Sequence, residues 1–191
     1  MRHDGTDDAA LLAAMAAGDV RAARALSNRL TPIVFSHAMR LVGNAALSED
    51  ITQEALIRLW KIAPAWEADR AKVTTWLYRV TANICMDHLR KKKILGSDDV
   101  PELVDDTASA AEQMQNKSRA DAMQTALMQL PDRQRQAVVL RHIDGFPNPE
   151  IATIMDLSVE AVESLTSRGK RALTQLLMPQ KSALSYEDEE V

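Results

Sequence analysis

A single cysteine, Cys85, stands in 191 residues, which excludes an internal disulfide and a cysteine-based metal site. Glycine is nearly as scarce, at six, and none of the six builds a Gly-rich phosphate loop or a nucleophile elbow. Long apolar runs are missing as well. Nothing approaches the roughly eighteen uninterrupted apolar residues of a membrane span. The opening stretch Met1 to Asp8 is polar and acidic, unlike a signal peptide. These absences lead to the expectation of a cytoplasmic protein without membrane insertion. The histidines His3, His37, His88 and His142 are scattered without metal-ligand spacing. Asp50 and Glu54 could suggest paired carboxylates, but no matching acid or metal cluster accompanies them. The expectation is no enzyme, no catalytic residue, no metal and no cofactor.

Aromatic residues make up only 4%, whereas hydrophobic residues reach 46%, enough for a core built from Ala, Leu and Met. These are helix formers, and period-2 alternation is absent. The fold class expected is all-α. A helix is read from about Asp8 to Gly18, and a second over Val20 to Val42, with a kink or break at Pro32. A third is read with Ser48 as its N-cap and Ile62 near its end, and a fourth from a Thr74 cap to Lys93. A helix over Lys117 to Leu130 follows, then one from Pro131 to Gly145. In Asn148-Pro149-Glu150, Asn148 reads as an N-cap followed by proline, opening a short helix to Met155, and Ser158 caps a last one from Val159 to about Leu177.

The net charge of −4 conceals a segregation. Arg70 to Lys93 holds seven Lys/Arg against one acid, Asp87, whereas Gly96 to Asn116 holds six acids and no Lys or Arg. The acidic stretch, with Pro101 and few large apolar residues, reads as a flexible linker. The division expected is two small helical domains, 1–95 and 117–178, joined by the acidic linker 96–116, with an acidic, disordered tail at 179–191. A locally basic segment can bind nucleic acid within an acidic protein. Arg90-Lys91-Lys92-Lys93 can equally be a solvated helix end matched to the helix dipole.

Three helical faces carry functional information. A short helix, a tight turn and a longer helix at the C-terminal end form a helix-turn-helix pattern. On its second helix Val162, Leu165, Gly169, Leu173 and Leu176 share one stripe. Glu160, Ser164, Ser167, Arg168 and Arg171 lie opposite, flanked by Glu163 and Lys170. Such a face suits the DNA major groove, where Arg pairs with guanine; an ordinary helical hairpin with a solvated polar face is the alternative. On the third helix Ile51, Ala55, Leu59 and Ile62 form an inward stripe. Asp50, Gln53, Glu54, Ile57 and Lys61 point away, and periodicity by itself favours a solvated face there. On the fourth, Leu77, Val80 and Ile84 face inward, while Trp76, Arg79, Asn83 and Arg90 share the other side. An indole with basic and amide groups is what a single-stranded nucleic-acid site needs. Trp76 can equally be a core residue.

In combination these segments resemble the sigma-70 superfamily, and within it the extracytoplasmic-function group that keeps only regions 2 and 4. The string Glu49-Asp50-Ile51-Thr52-Gln53-Glu54-Ala55-Leu56-Ile57-Arg58-Leu59-Trp60 is similar to region 2.2. Thr75 through Asn83, followed by Asp87-His88-Leu89-Arg90, is similar to regions 2.3 and 2.4. Leu130-Pro131-Asp132-Arg133-Gln134-Arg135, continuing through Glu150-Ile151-Ala152 to Ser167-Arg168, is similar to region 4. The match spans about Val20 to Leu177.

The resemblance implies partners and roles. RNA polymerase core would be bound through its β′ clamp helices by Asp50, Gln53, Glu54 and Ile57, with the β flap as a further contact. Trp76, Arg79, Asn83 and Arg90, with the loop Asp69 to Thr74, would melt and read the promoter −10 element. Ser164, Ser167, Arg168, Lys170 and Arg171 would read the −35 element. The acidic linker would pass through the polymerase interior, and an anti-sigma factor would restrain the protein. Glu163 and Leu165 replace the Lys and Arg that relatives often carry on the recognition helix, so the resemblance does not transfer a −35 sequence. Two rivals make different predictions. A helix-turn-helix regulator with an N-terminal sensory domain binds its operator tightly without polymerase, and a helical adaptor is indifferent to charge reversal at Arg168 and Arg171.

Overall fold

The computed structural model describes residues 5–67, 71–95 and 111–180. Eight α-helices and no strand are found among these residues. The acidic tail beyond Gln180, and the linker as far as residue 110, lie outside them; Pro179 and Gln180, expected to begin the disordered tail, form a 3₁₀ turn with Met178.

Helix α1 (Gly5–Ala16) packs against α2 (Val20–Val42). Asp19 caps α2, its carboxylate accepting from the Arg21 and Ala22 N–H groups at 2.8 and 3.2 Å. Gly43, at φ 68°, ends the helix by donating its N–H to the Met39 carbonyl, a left-handed closure that glycine adopts without a Cβ penalty. Pro32 does not break α2, which runs through it. Pro32 is exposed, while Leu30, Val34 and Leu41 on either side bury one continuous face. That burial, about 1.5–3 kcal/mol for each large side chain, outweighs one lost backbone bond.

Helix α3 (Ala45–Ile62) starts a turn earlier than its sequence suggests. Asn44, not Ser48, is the cap and accepts from the Leu47 N–H at 2.8 Å. Ala45, Ala46 and Leu47 are strong enough helix formers to extend the helix back to it. Ser48 is buried and donates to the Asn44 carbonyl at 2.7 Å. After a 3₁₀ turn at Ala63–Ala65, α4 (Val73–Leu95) follows. Thr74 lies inside α4 and is not its cap; the Trp76 N–H already donates to the Lys72 carbonyl. Leu26, Leu30 and Leu41 of α2, Ile51 and Leu59 of α3, and Leu77 of α4 meet in one buried core.

The C-terminal helices are α5 (Ala111–Met128), α6 (Asp132–Val138), α7 (Asn148–Met155) and α8 (Val159–Leu177). Residues 111–116, grouped with the linker by composition, are the first turns of α5. The helix expected over Pro131 to Gly145 stays α-helical only to Val138 and then widens to a π turn, Val139–Ile143. The Asp144 N–H closes that turn on the Val139 carbonyl at 2.9 Å. One extra residue in a turn rotates all that follows by about 100°, which changes the direction in which Asp144 points.

Asn148 is the first residue of α7, with Pro147 in the cap position. Its side chain instead donates to Glu163 at 3.3 Å. Asp156 ends α7 in the left-handed region, φ 55°, and the Leu157 N–H reaches back to the Ala152 carbonyl. Ser158 caps α8 as its sequence suggests, accepting from the Ala161 N–H at 3.2 Å.

A second cluster unites Leu140 with Ile151, Ile154 and Met155 of α7 and Val162 of α8. Gly169 lets α8 come close to α6, since a Cβ there would sit 2.6 Å from Val138 Cγ2 and 3.1 Å from the Gln134 carbonyl oxygen. Leu127, Leu130, Val138 and Val139 join the core of the N-terminal helices, so the two halves share buried apolar surface.

Candidate nucleic-acid interface

On α8 buried and exposed side chains segregate to opposite sides, as their spacing suggests. Val162 and Gly169 are buried, and Leu165, Leu173 and Leu176 are half-buried against the cores. Glu160, Ser164, Ser167, Arg168, Lys170 and Arg171 are all exposed. The Arg168 Nε donates to the Ser164 carbonyl at 3.2 Å, laying the guanidinium along the helix. Behind this face the frame is stiff. Arg133 donates to the Met155 carbonyl at the end of α7, and buried Arg135 donates to Asp132 at 2.7 Å and to the Met128 carbonyl at 3.4 Å. Burial lowers the Arg135 pKa and the Asp132 carboxylate works against that shift. His142, on the approach to α7, is also held below its usual pKa, by partial burial first and then by the cations Lys170 and Arg141.

On α4, Arg79, Asn83, Asp87 and Arg90 form one exposed stripe at helical spacing. Arg90 is held by Asp87 at 2.9 Å. Trp76 belongs partly to both readings offered by its sequence context. It is half-buried against the core and stands edge-to-face with Trp66 at 6.0 Å between ring centroids. The two indoles line an open cleft of about 230 Å³ with Ile62, Ala65, Glu67 and Ala71. Sequence reasoning missed Trp66; its place after Pro64 in the loop leaving α3 was the available signal.

On α3, Asp50, Gln53 and Ile57 are exposed and Glu54 is half-exposed, on one side of a helix whose other side buries Ile51, Ala55 and Leu59. Glu54 pairs with Arg58 one turn on. Ile57 and Trp60 are 44% and 42% exposed, so large apolar surface lies among these charges.

The structure also joins residues that are distant in sequence. His37 Nδ1 lies 2.7 Å from Asp144 Oδ2, with the His37 side chain fully buried and that of Asp144 3% exposed. Arg40 donates to the other oxygen at 3.3 Å. Tyr78 packs edge-to-face between His37 and Phe146, at 4.7 Å from each ring. Burial, and next the Asp144 charge, raise the Tyr78 pKa, so its hydroxyl stays protonated.

A helix-turn-helix with an exposed basic face, packed on a helical unit with its own aromatic and basic stripe, is the architecture of a DNA-binding protein. Residues 26–94 match the Sigma-70 region 2 family and residues 120–173 the Sigma-70 region 4 family. The chain is 30% identical over 155 residues to the ECF RNA polymerase sigma factor SigW of Bacillus subtilis, covering 75% of this chain and 82% of that protein. It is 32% identical over 179 residues to the ECF RNA polymerase sigma factor SigM of Mycobacterium tuberculosis, covering 92% and 87%. The chain therefore belongs to the sigma-70 family, as an extracytoplasmic-function sigma factor.

Among solved structures it is similar to CnrH in complex with the cytosolic domain of CnrY, at TM-score 0.66 and 25% identity, covering 91% of this chain and 98% of that one. The fold is shared with Bartonella quintana RpoE, solved with the anti-sigma factor NepR, at TM-score 0.68 and 21% identity, covering 83% and 98%. No described helix is long and apolar enough to cross a membrane.

Proposed function

We propose that this sigma factor divides its work among the three faces. Asp50, Gln53, Glu54 and Ile57 of α3 dock RNA polymerase core on the β′ clamp helices, and the C-terminal unit reaches the β flap. Trp76, Arg79, Asn83 and Arg90 of α4 melt and read the −10 element, through stacking, phosphate neutralisation and base-edge hydrogen bonds. Ser164, Ser167, Arg168, Lys170 and Arg171 of α8 read the −35 duplex from the major groove. The protein acts in the cytoplasm. An anti-sigma factor restrains it, as the fold shared with NepR-bound RpoE suggests.

The observation that carries the polymerase assignment is the exposure of Ile57 and Trp60 beside Asp50 and Glu54. A merely solvated face has no use for large apolar side chains among its charges; a protein interface does. The test is co-purification of core polymerase with Asp50→Lys/Glu54→Lys. Loss of core binding with unchanged helicity is expected. Persistent binding removes α3 from the docking surface.

A further inference from the structure

The recognition helix is not a plain basic face, because α8 carries two acids, Glu160 and Glu163. Glu160 is occupied at the start of the helix. Its own backbone N–H and the Ser158 side chain hold its carboxylate and lower its pKa. Glu163 is exposed, on the same edge of α8 as Ser167 and Lys170 four and seven residues on. Among the described residues its carboxylate has no cationic partner.

One group does hold it. Asn148 Nδ2 donates to Glu163 Oε1 at 3.3 Å, and Oε2 is left without a hydrogen bond among the described residues. The Asn148 amide must present its NH₂ here, since a carboxylate only accepts. Asn148 is the first residue of α7, half-buried with its Oδ1 out of reach of solvent, so the donor is fixed by packing.

In a helix-turn-helix the first helix crosses the DNA backbone and the N-terminal part of the second meets base edges. Glu163, the fifth residue of α8, lies in that part. A carboxylate there is repelled by the phosphates of any duplex, and only a hydrogen-bond donor on a base edge offsets the repulsion. Guanine shows two acceptors in the major groove and thymine one, while adenine sets an acceptor beside its amino group. Cytosine alone offers a donor with no acceptor on the same base.

We infer that Glu163 is a specificity-determining residue of this sigma factor, its carboxylate accepting from the N4 amino group of one cytosine in the −35 element, with Asn148 as the positioning residue behind it. The inference rests on the reading of α8 as the −35 helix.

The test uses the full chain with core RNA polymerase. Holoenzyme selects sites from random-sequence duplexes long enough to hold both elements, and the upstream motif is compared for the parent, Glu163→Gln, Glu163→Arg and Asn148→Ala. The best site and its single-base variants are then competed for affinity. The parent is expected to prefer cytosine at one upstream position by about tenfold over each other base. Glutamine pairs best with adenine and arginine with guanine, so that one position should change to adenine and to guanine in the two variants while the rest of the motif stays. Asn148→Ala should keep cytosine but cut the preference to about threefold, because the carboxylate is then ordered only on binding. Sites without that cytosine should bind it as they bind the parent.

An upstream motif with no C·G pair, or one that both Glu163 variants leave unchanged, overturns the base contact and leaves α8 as the reader. If no upstream motif is enriched, or Arg168→Ala/Arg171→Ala leaves its enrichment intact, the reading of α8 fails and the base contact with it. An Asn148→Ala protein with the parent's preference, or with affinity lowered alike at every site, removes Asn148 as the positioning residue.

Discussion

Replacing Gly169 by Ala sets two known effects against each other with opposite signs. A mid-helix glycine costs about 1 kcal/mol relative to alanine, so propensity alone makes the substitution stabilising by that amount. The packing opposes it. The new methyl would meet Val138 Cγ2 at 2.6 Å and the Gln134 carbonyl oxygen at 3.1 Å. The carbonyl belongs to the α6 backbone and Val138 is only 1% exposed, so neither neighbour can swing away cheaply. Overpacking of this kind costs about 1–3 kcal/mol, and the expected balance is a net loss of about 1 kcal/mol.

Because α8 must slide or tilt on α6, the loss is accompanied by weaker −35 duplex binding by the holoenzyme. Urea denaturation of Gly169→Ala, Val138→Ala and the pair measures the contact. The double variant is expected to be less destabilised than the sum of the singles by roughly 1 kcal/mol, since removing Cγ2 relieves the clash. A Gly169→Ala protein about 1 kcal/mol more stable than its parent would refute the close-approach account and leave helix propensity in charge.

Three further expectations are simpler. Alanine at both Arg168 and Arg171 should flatten the salt dependence of −35 duplex binding by about two units of log–log slope; an unchanged slope in holoenzyme titrations removes these side chains from the phosphate contacts. The Cys85 thiol, pushed up to about 12 chiefly by burial, should resist a thiol reagent at pH 8 until urea opens the fold; rapid stoichiometric labelling of the native chain contradicts that packing. His142 has a lower pKa folded than unfolded, so the unfolded chain takes up the proton first as pH falls. Its contribution to stability is therefore full above about 6.5 and is lost as pH drops below that value. An imidazole titration followed by NMR should fall below the usual 6.5, and His142→Gln should remove that part of the acid-side decline.

The helices were legible because their signals are local. Gly18 and Gly43 bound Val20 to Val42 in the sequence, and Ser158 and the stripe from Val162 to Leu176 stand out in the spacing, whereas the Asp19 cap does not. Local signals mislead where two of them compete. Ser48 looks like a cap because acids follow it, yet Asn44 precedes a better helix former run; Pro32 looks like a break, yet burial on both sides carries the helix past it. The π turn left no mark in the hydrophobic periodicity. The joint between the halves was illegible for a different reason. His37 and Asp144 are 107 positions apart, and each alone is an unremarkable polar residue in a helical stretch. Only tertiary packing gives them a shared burial, and with it sets Glu150 against Lys72.

The most direct test of the central claim is run-off transcription with purified core RNA polymerase on a library of genomic fragments. Transcripts are expected that start at discrete sites, need both this chain and core, and disappear with Asp50→Lys/Glu54→Lys. Absence of any promoter-dependent start across salt conditions, together with tight duplex binding by the chain alone, would contradict it and favour a free-standing helix-turn-helix regulator.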